Sequence, residues 1–406
     1  MTEAQAAQIN LFDPRMSSDP YPLYAAVAER CTVTQVEGLG WYAALSYETV
    51  EQVLLQRGGS HGYVEFQKMR APDGDQQPYC KAAMDFVFVM EGNDHRRVRG
   101  AFMRAFTKAR IDALRPFIRK NAHELIDGFQ SDGGCELMAS FCRPLPLATI
   151  SAMLGVSPDD QAKVAGLISG YALAFQFFPL DTEQVAATND AVLGLQEYFG
   201  GLVARRREQP PGEDLMFALI TEADAGNLSE AELLAQVYGL YAVGHETTAM
   251  SMGNSTLCFI DHPDQLEIMR SDPALVPGAV SETMRHHGLV QGTQRIFTED
   301  IEVAGQTVPA GTPIVAFLAS ANRDGATFPD PDRFDVTRGK TAPHLAFGRG
   351  AHACAGQQLA LAQLEVGIEV LFERLPGLAL AGEVEWNTTS LVFHGPDRLP
   401  VRWDVP

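Results

Sequence analysis

The stretch FGRGAHACAG, residues 347–356, decides how the rest of the chain is read. It sets one cysteine, Cys354, and one histidine, His352, among three glycines, Gly348, Gly350 and Gly356. Glycine reaches backbone conformations closed to other residues and lets a flat group approach the chain closely. Gly356 stands where the amphipathic pattern of the next segment begins, and a cysteine at a helix start faces unpaired N–H groups and the positive end of the helix dipole. The loop is therefore read as one that holds an anionic sulfur.

Three uses of such a sulfur compete. A nucleophile needs a base beside it, and His352, two residues away in an extended loop, points to the opposite side. Zinc needs further cysteine or histidine ligands at fixed spacing, and none lies at that spacing. Haem iron needs one protein thiolate, glycine clearance under the ring, and basic groups for the propionates.

Working outward, a helical pattern starts at Ser229 and Glu232, which form a capping box, and runs without proline to Ile260, with Pro263 as the stop. At about 1.5 Å per residue this predicts a rod of about 45 Å. Its middle, Gln236 to Met252, is apolar apart from His245, Glu246, Thr247, Thr248 and a few small polar residues. A charged pair inside a buried helix requires a reason. His245-Glu246 begins the zinc-protease pattern HExxH, but position 249 is alanine, so that reading fails on a missing ligand.

The ten residues 347–356 match in full the haem-binding loop FGxGxHxCxG of the bacterial cytochrome P450 monooxygenases, which the chain thereby resembles. The resemblance implies haem b as cofactor, Cys354 as axial iron ligand, and His352 as a propionate ligand, with Phe347, Gly348 and Gly356 lining the ring. Glu282-Thr283-Met284-Arg285 is similar to the family's ExxR element, and Pro331-Asp332-Arg333-Phe334 to its second part, so that Arg333 is expected to complete a buried Glu–Arg–Arg set. His95 and Arg99, at i and i+4 on one helix face, resemble the HxxxR propionate clamp, and Arg295 occupies the position of a further propionate ligand. Val243-Gly244-His245-Glu246-Thr247-Thr248 is similar to the oxygen-activation segment. There the resemblance implies that Gly244 makes room for O2 and that Glu246 and Thr247 deliver protons. Val243 departs from the usual Ala or Gly and is expected to narrow the space beside the iron.

By the same resemblance, substrate-lining residues are Phe86, Val87, Phe88, Phe175, Phe178, Val243, Leu289, Val290, Val392 and Phe393. They describe an apolar, aromatic cavity for a small-to-medium hydrophobic or aromatic molecule. The implied reaction is insertion of one oxygen atom of O2 into a C–H bond, with electrons from NAD(P)H through a ferredoxin reductase and a ferredoxin, or a flavodoxin. Two alternatives stay open: a peroxide-driven haem-thiolate peroxygenase and a non-enzymatic haem gas sensor.

Bulk properties agree with this picture. The chain has 406 residues, 46% hydrophobic and 20% charged, as expected of a folded protein with a large core. A net charge of −20 argues against a nucleic-acid partner. Six cysteines without a CxxC pair suggest neither a disulfide framework nor a four-thiolate zinc site. The start, MTEAQAAQINLFDPR, lacks a signal-peptide pattern and no run suits a bilayer crossing, so a cytoplasmic location with no membrane association is expected. Between Arg96 and Lys120 nine Arg or Lys face one Asp, a local excess that reads as propionate binding by inward residues and docking of an acidic electron carrier by Arg97, Arg104, Lys108 and Arg110, with Arg349 beside the ligand loop.

Helical periodicity over Tyr21–Arg30, Arg110–Phe129, Ala191–Arg207 and Gln358–Leu375 predicts a mainly α (α+β) fold. Strands are expected at Thr32–Val36, Trp41–Leu45, Arg295–Val303, Pro313–Phe317 and near Leu391 and Val401. With no repeat or long linker, residues 1–406 are expected to form one cytochrome P450-type unit, its small β-rich part near 32–45 and 295–317.

Overall fold

The computed structural model describes residues 8–176, 178–338 and 343–405. Sixteen α-helices and twelve short strands lie among them, so helices dominate as the periodicity predicts. The longest, Glu230–Asp261, opens on the expected capping box: Ser229 Oγ accepts from the Glu232 N–H and the Glu232 carboxylate accepts from the Ser229 N–H. Ala235 to Tyr241 and Thr248 to Phe259 are buried without exception, and only Ala242 to Thr247, between them, is not.

That division matches the core. The first half of the helix packs in an apolar cluster with Phe86, Phe102, Tyr171 and Phe199, the second in another with Ile118, Phe141, Phe372 and Leu375. Glycines mark where neighbours press closest. A Cβ at Gly239 would stand 2.6 Å from the Phe86 ring, and one at Gly253 2.6 Å from Pro396. Gly367, on the helix Gln357–Arg374, would put one 2.7 Å from Met252. Any side chain there would force the elements apart.

Distant segments build the main sheet. Its strands run in the order Val33–Gln35, Tyr42–Ala44, Pro313–Ala316, Thr293–Phe297 and Gly59–Ser60, with only the Tyr42–Ala44 and Pro313–Ala316 pair parallel. The expected strand Arg295–Val303 divides into Thr293–Phe297 and Ile301–Val303, because the chain bends at Thr298 and Glu299 before Asp300, whose Oδ1 accepts from the Ala310 N–H. The C-terminal pair also differs from expectation. Leu391 lies in a turn, and the strands are Glu385–Trp386, Pro396–Arg398 and Pro400–Arg402, the last of them central in a small sheet with Gly134–Glu136 and Ala379–Leu380.

The structure corrects the expected Glu–Arg–Arg set. Glu282 and Arg285, on the helix Val276–His286, form a fully buried two-pronged ion pair with both bonds at 2.8 Å. The third member is Arg338, whose Nε donates to Glu282 Oε1 at 2.9 Å, and not Arg333. The Arg333 side chain is 64% exposed, with Asp335 at 3.9 Å. Its carbonyl is what enters the network, accepting from Arg285 at 3.2 Å and from Arg338 at 2.7 Å.

Candidate functional site

Cys354 follows a single 3₁₀ turn, Gly350–His352, that replaces part of the extended loop expected there, and it precedes the helix Gln357–Arg374. Gly348 and Gly350 adopt φ of +66° and +80°, open to glycine with little strain. A Cβ on Gly350 would also press on the Leu54 carbonyl at 3.0 Å, so this glycine is needed twice over. A Cβ on Gly356 would lie 3.9 Å from Cys354 Sγ. The sulfur stays accessible, yet burial among surrounding atoms is the largest influence on it and raises the thiol pKa. The N–H groups of Gly356 and Gln357 and the charge of Arg99 pull the other way without prevailing. The helix start alone does not offset that burial; an iron ion held by this sulfur would, since a coordinated metal deprotonates a ligating thiol outright.

Four expected propionate ligands converge beside this loop. His95 and Arg99 share one face of the helix Gly92–Ala105. The His95 ring lies 4.1 Å from that of His352, and Arg99 Nη2 donates to the Ala353 carbonyl at 2.6 Å. Arg295, 4% exposed on the strand Thr293–Phe297, is near enough to Glu91 to be influenced by its charge. Burial lowers Arg295 to about 10, and burial with the charges of His352 and Arg99 lowers His95 to about 4. His352 Nε2 meets the Glu91 carboxylate at 3.0 Å, so that nitrogen is engaged with Glu91.

Three features of this cradle suit a flat dianionic cofactor bound through iron. Half-buried Arg99 and buried Arg295 form no ion pair among the described residues, and an unpaired cation is costly where it is buried. His95 Nε2 is buried without a hydrogen-bond partner. The one cysteine beside them is flanked by glycines. The donor set therefore fits haem: Cys354 for the iron, and His95, Arg99, Arg295 and His352 for the propionates.

The unburied stretch of the long helix carries the acid and the alcohol. His245 Nδ1 meets the Tyr241 carbonyl at 2.8 Å, Thr247 Oγ1 donates to the Val243 carbonyl at 2.7 Å, and Thr248 Oγ1 to that of Gly244 at 3.1 Å. Three such bonds to carbonyls four residues back, within one turn, loosen and bend a helix. Unlike Gly239 or Gly253, Gly244 is not required by packing, because a Cβ there would meet nothing closer than Ile150 at 3.6 Å. Glu246 is clasped by Arg143, whose Nε lies 3.1 Å from Oε1 and whose Nη2 donates to the Asp397 carbonyl at 3.1 Å. Arg143 carries no sequence signal that singles it out.

The expected substrate-lining residues divide. Phe88, Phe178 and Val243 are exposed at 46%, 36% and 39%, and Phe175 is half-buried, with Phe88 and Phe175 rings 6.3 Å apart. Val290 and Phe393 pair through a β-bridge, with Val392 next to it. Phe86, Val87 and Leu289 are buried in apolar clusters, so most of their surface serves packing.

The basic segment is largely cross-braced rather than free. Arg97 pairs with Glu232 and Asp94, Arg104 with Glu222, Lys108 with Asp112, and Arg349 with Glu51, while Arg110 donates to the Glu213 and Ala105 carbonyls. A count of local charge does not see partners that arrive from distant segments.

Comparison with known proteins agrees with the geometry. A family model described as cytochrome P450 matches residues 44–376. Cytochrome P450 107B1 of Saccharopolyspora erythraea is 33% identical over 416 residues, covering 99% of both chains. The 6-deoxyerythronolide B hydroxylase of the same organism is 33% identical over 401 residues, covering 95% of this chain and 96% of its own. The solved structure of cytochrome P450 CYP109Q5 from Chondromyces apiculatus superposes with a TM-score of 0.87 at 31% identity, over 98% of this chain and 99% of that one.

Proposed function

The chain belongs to the cytochrome P450 family of haem-dependent monooxygenases, and on that premise we propose that it inserts one oxygen atom of O2 into a C–H bond of a compact hydrophobic or aromatic substrate. The observation that carries this reading is the pairing of a cationic cradle around a glycine-flanked cysteine with an acid and an alcohol in the one unburied stretch of the long helix. That helix packs along the helix Gln357–Arg374, which begins three residues after Cys354.

Haem held through a cysteine thiolate supplies O2 activation, the thiolate favouring O–O cleavage. The protein's share is binding, orientation and proton supply. His95, Arg99, Arg295 and His352 hold the propionate edge. Glu246, 40% exposed at its side chain, takes protons from solvent and passes them toward Thr247, and Arg143 fixes where the carboxylate stands between turns. Phe88, Phe175, Phe178, Val243, Val290, Val392 and Phe393 supply apolar surface against substrate, and aromatic edges favour a ring system over a charged molecule.

Electrons come from a separate ferredoxin or flavodoxin. With most of the basic segment braced by carboxylates, exposed Arg96, bonded to the Asn93 side chain, and Arg110, bonded to backbone carbonyls, are left for docking, which therefore centres on fewer charges than the composition implies. The reading keeps the enzyme in the cytoplasm; among the described residues no helix is long and apolar enough to cross a membrane.

Two measurements test the proposal. The ferrous carbon monoxide complex must show the red-shifted Soret band of a thiolate-ligated haem, and Cys354→Ala must abolish it. Reconstitution with a ferredoxin system must then give NADH-dependent oxygenation of an apolar substrate. Turnover with peroxide alone would mean a peroxygenase, and reversible ligand binding without turnover a sensor.

A further inference from the structure

The polar cluster beside the ligand loop contains a histidine that no motif assigns. His61 follows the strand Gly59–Ser60, whose pairing with Thr293–Phe297 places Ser60 opposite Ile296, next to Arg295. The ring of His61 lies 4.7 Å from that of His352, edge-on at 85°, and 4.9 Å from that of Phe88. Its side chain is 10% exposed, yet Nδ1 has no hydrogen-bond partner. The nearest carboxylate oxygen, on Glu91, is 3.6 Å away, beyond a hydrogen bond.

Glu91 is already engaged. Its Oε1 accepts from the His61 backbone N–H at 3.3 Å, and its Oε2 meets His352 Nε2 at 3.0 Å. On the other side of the chain, Gln294 Nε2 donates to the His61 carbonyl at 2.8 Å. The backbone of His61 is held from two directions and its ring is packed between those of His352 and Phe88, which restricts how it can turn. A buried ring nitrogen held in place without a partner is a donor directed at something outside the protein's own hydrogen-bond list.

We propose that His61 is a third histidine donor to the haem propionates, beside His95 and His352, and that Glu91 is the positioning residue that sets the His61 and His352 rings side by side. This rests on the haem-thiolate reading above. With its hydrogen on Nδ1, a neutral imidazole donates to a carboxylate oxygen. Arg99 and Arg295 supply charge in the same cluster, so His61 has only to supply geometry. Its contact with Phe88 puts it where the propionate edge meets the expected substrate wall.

The test reads haem retention. Ferric holoprotein of wild type, His61→Ala, His61→Phe and His61→Gln is mixed with excess apomyoglobin, and haem transfer is followed by the Soret change. Loss of one hydrogen bond to a charged group is expected to raise the release rate about ten-fold in His61→Ala. His61→Phe keeps the ring contacts with Phe88 and His352 but has no N–H, and it must release haem as fast as His61→Ala. His61→Gln keeps an N–H and is expected within about three-fold of wild type. Wild-type release from His61→Phe overturns the proposal, even where His61→Ala fails to fold. His61, Glu91 and His352 also offer ligand atoms within 4.8 Å of one another. Zn²⁺ binding to holoprotein at one per chain, lost in His61→Phe with haem release unchanged, would make the cluster a metal site and overturn the proposal too. Failure of the underlying reading looks different, since the wild-type carbon monoxide complex would then lack the red-shifted band.

Discussion

Replacing Arg338 by alanine should destabilise the protein far more than replacing Arg333, although the sequence pattern points to the latter. Arg338 Nε donates to Glu282 Oε1, and its two other nitrogens donate to the carbonyls of Pro329, Asp330 and Arg333. Glu282 is 4% exposed and Arg285 2%. Removing Arg338 leaves Glu282 paired with Arg285 but takes one charge-assisted bond from the carboxylate and the donor from three carbonyls, a loss of about 3–5 kcal/mol in sum. At about 2.1 cal/mol/K per residue, a chain of 406 residues has an unfolding entropy of about 0.85 kcal/mol/K, so Arg338→Ala should lower Tm by about 4–6 °C. Arg333 is largely solvated, and its surface pair is worth about 0–1 kcal/mol, or about 1 °C. Arg338→Lys should fall between, because an ammonium cannot reproduce the forked bonds. Thermal unfolding by circular dichroism, on the four proteins at matched haem occupancy, decides the matter. Equal shifts for the two alanine variants, or a larger one for Arg333→Ala, would refute the assignment of Arg338.

Four further predictions concern other parts of the structure. Val243→Ala should widen the substrate size range and change the product distribution, checked by binding spectra and product analysis; identical profiles would remove Val243 from the substrate wall. Glu246→Gln should cut product formed per second about 100-fold while the carbon monoxide band persists. Arg143→Ala should change the pH–rate profile and release more peroxide per NADH, with Arg143→Lys recovering part of the loss, whereas an unchanged pH profile would confine Arg143 to packing. Burial and the charge of Arg323 hold His286 at about 3, with Nε2 against the Asp332 carbonyl and Nδ1 unpartnered. The unfolded chain therefore takes up this proton first, so the stability it contributes is whole above about pH 6.5 and declines as pH falls toward 3. At pH 5 this loss is about 2 kcal/mol, and the Tm drop between pH 7 and 5 should shrink by about 2–3 °C in His286→Gln.

Local signals were the legible ones. The capping box at Ser229 and Glu232, the positive-φ glycines of the cysteine loop and the i, i+4 spacing of His95 and Arg99 all act within a few residues of chain, and each is found where the sequence places it. Partners chosen across hundreds of residues were not legible. Nothing near Glu91 in sequence announces His352, 261 positions away, and nothing near Arg143 announces Glu246. Arg333 shows the boundary between the two cases: the chain segment was identified correctly, but its carbonyl bonds the network while the side chain five residues on supplies the charge. Net charge misled for a related reason, since the partners Glu222 and Glu232 come from other helices.

The order of the site along the chain has a consequence for biosynthesis. His95 and Arg99 leave the ribosome early, Arg295 late and Cys354 later still, 259 residues after His95. At about 5–20 residues per second, roughly 13 to 50 s separate the first of these groups from the last. Throughout that interval the nascent chain exposes half of its cradle with no thiol to complete it. Pigment capture therefore waits for residue 354 to emerge, and ribosome-bound chains truncated before it should remain colourless.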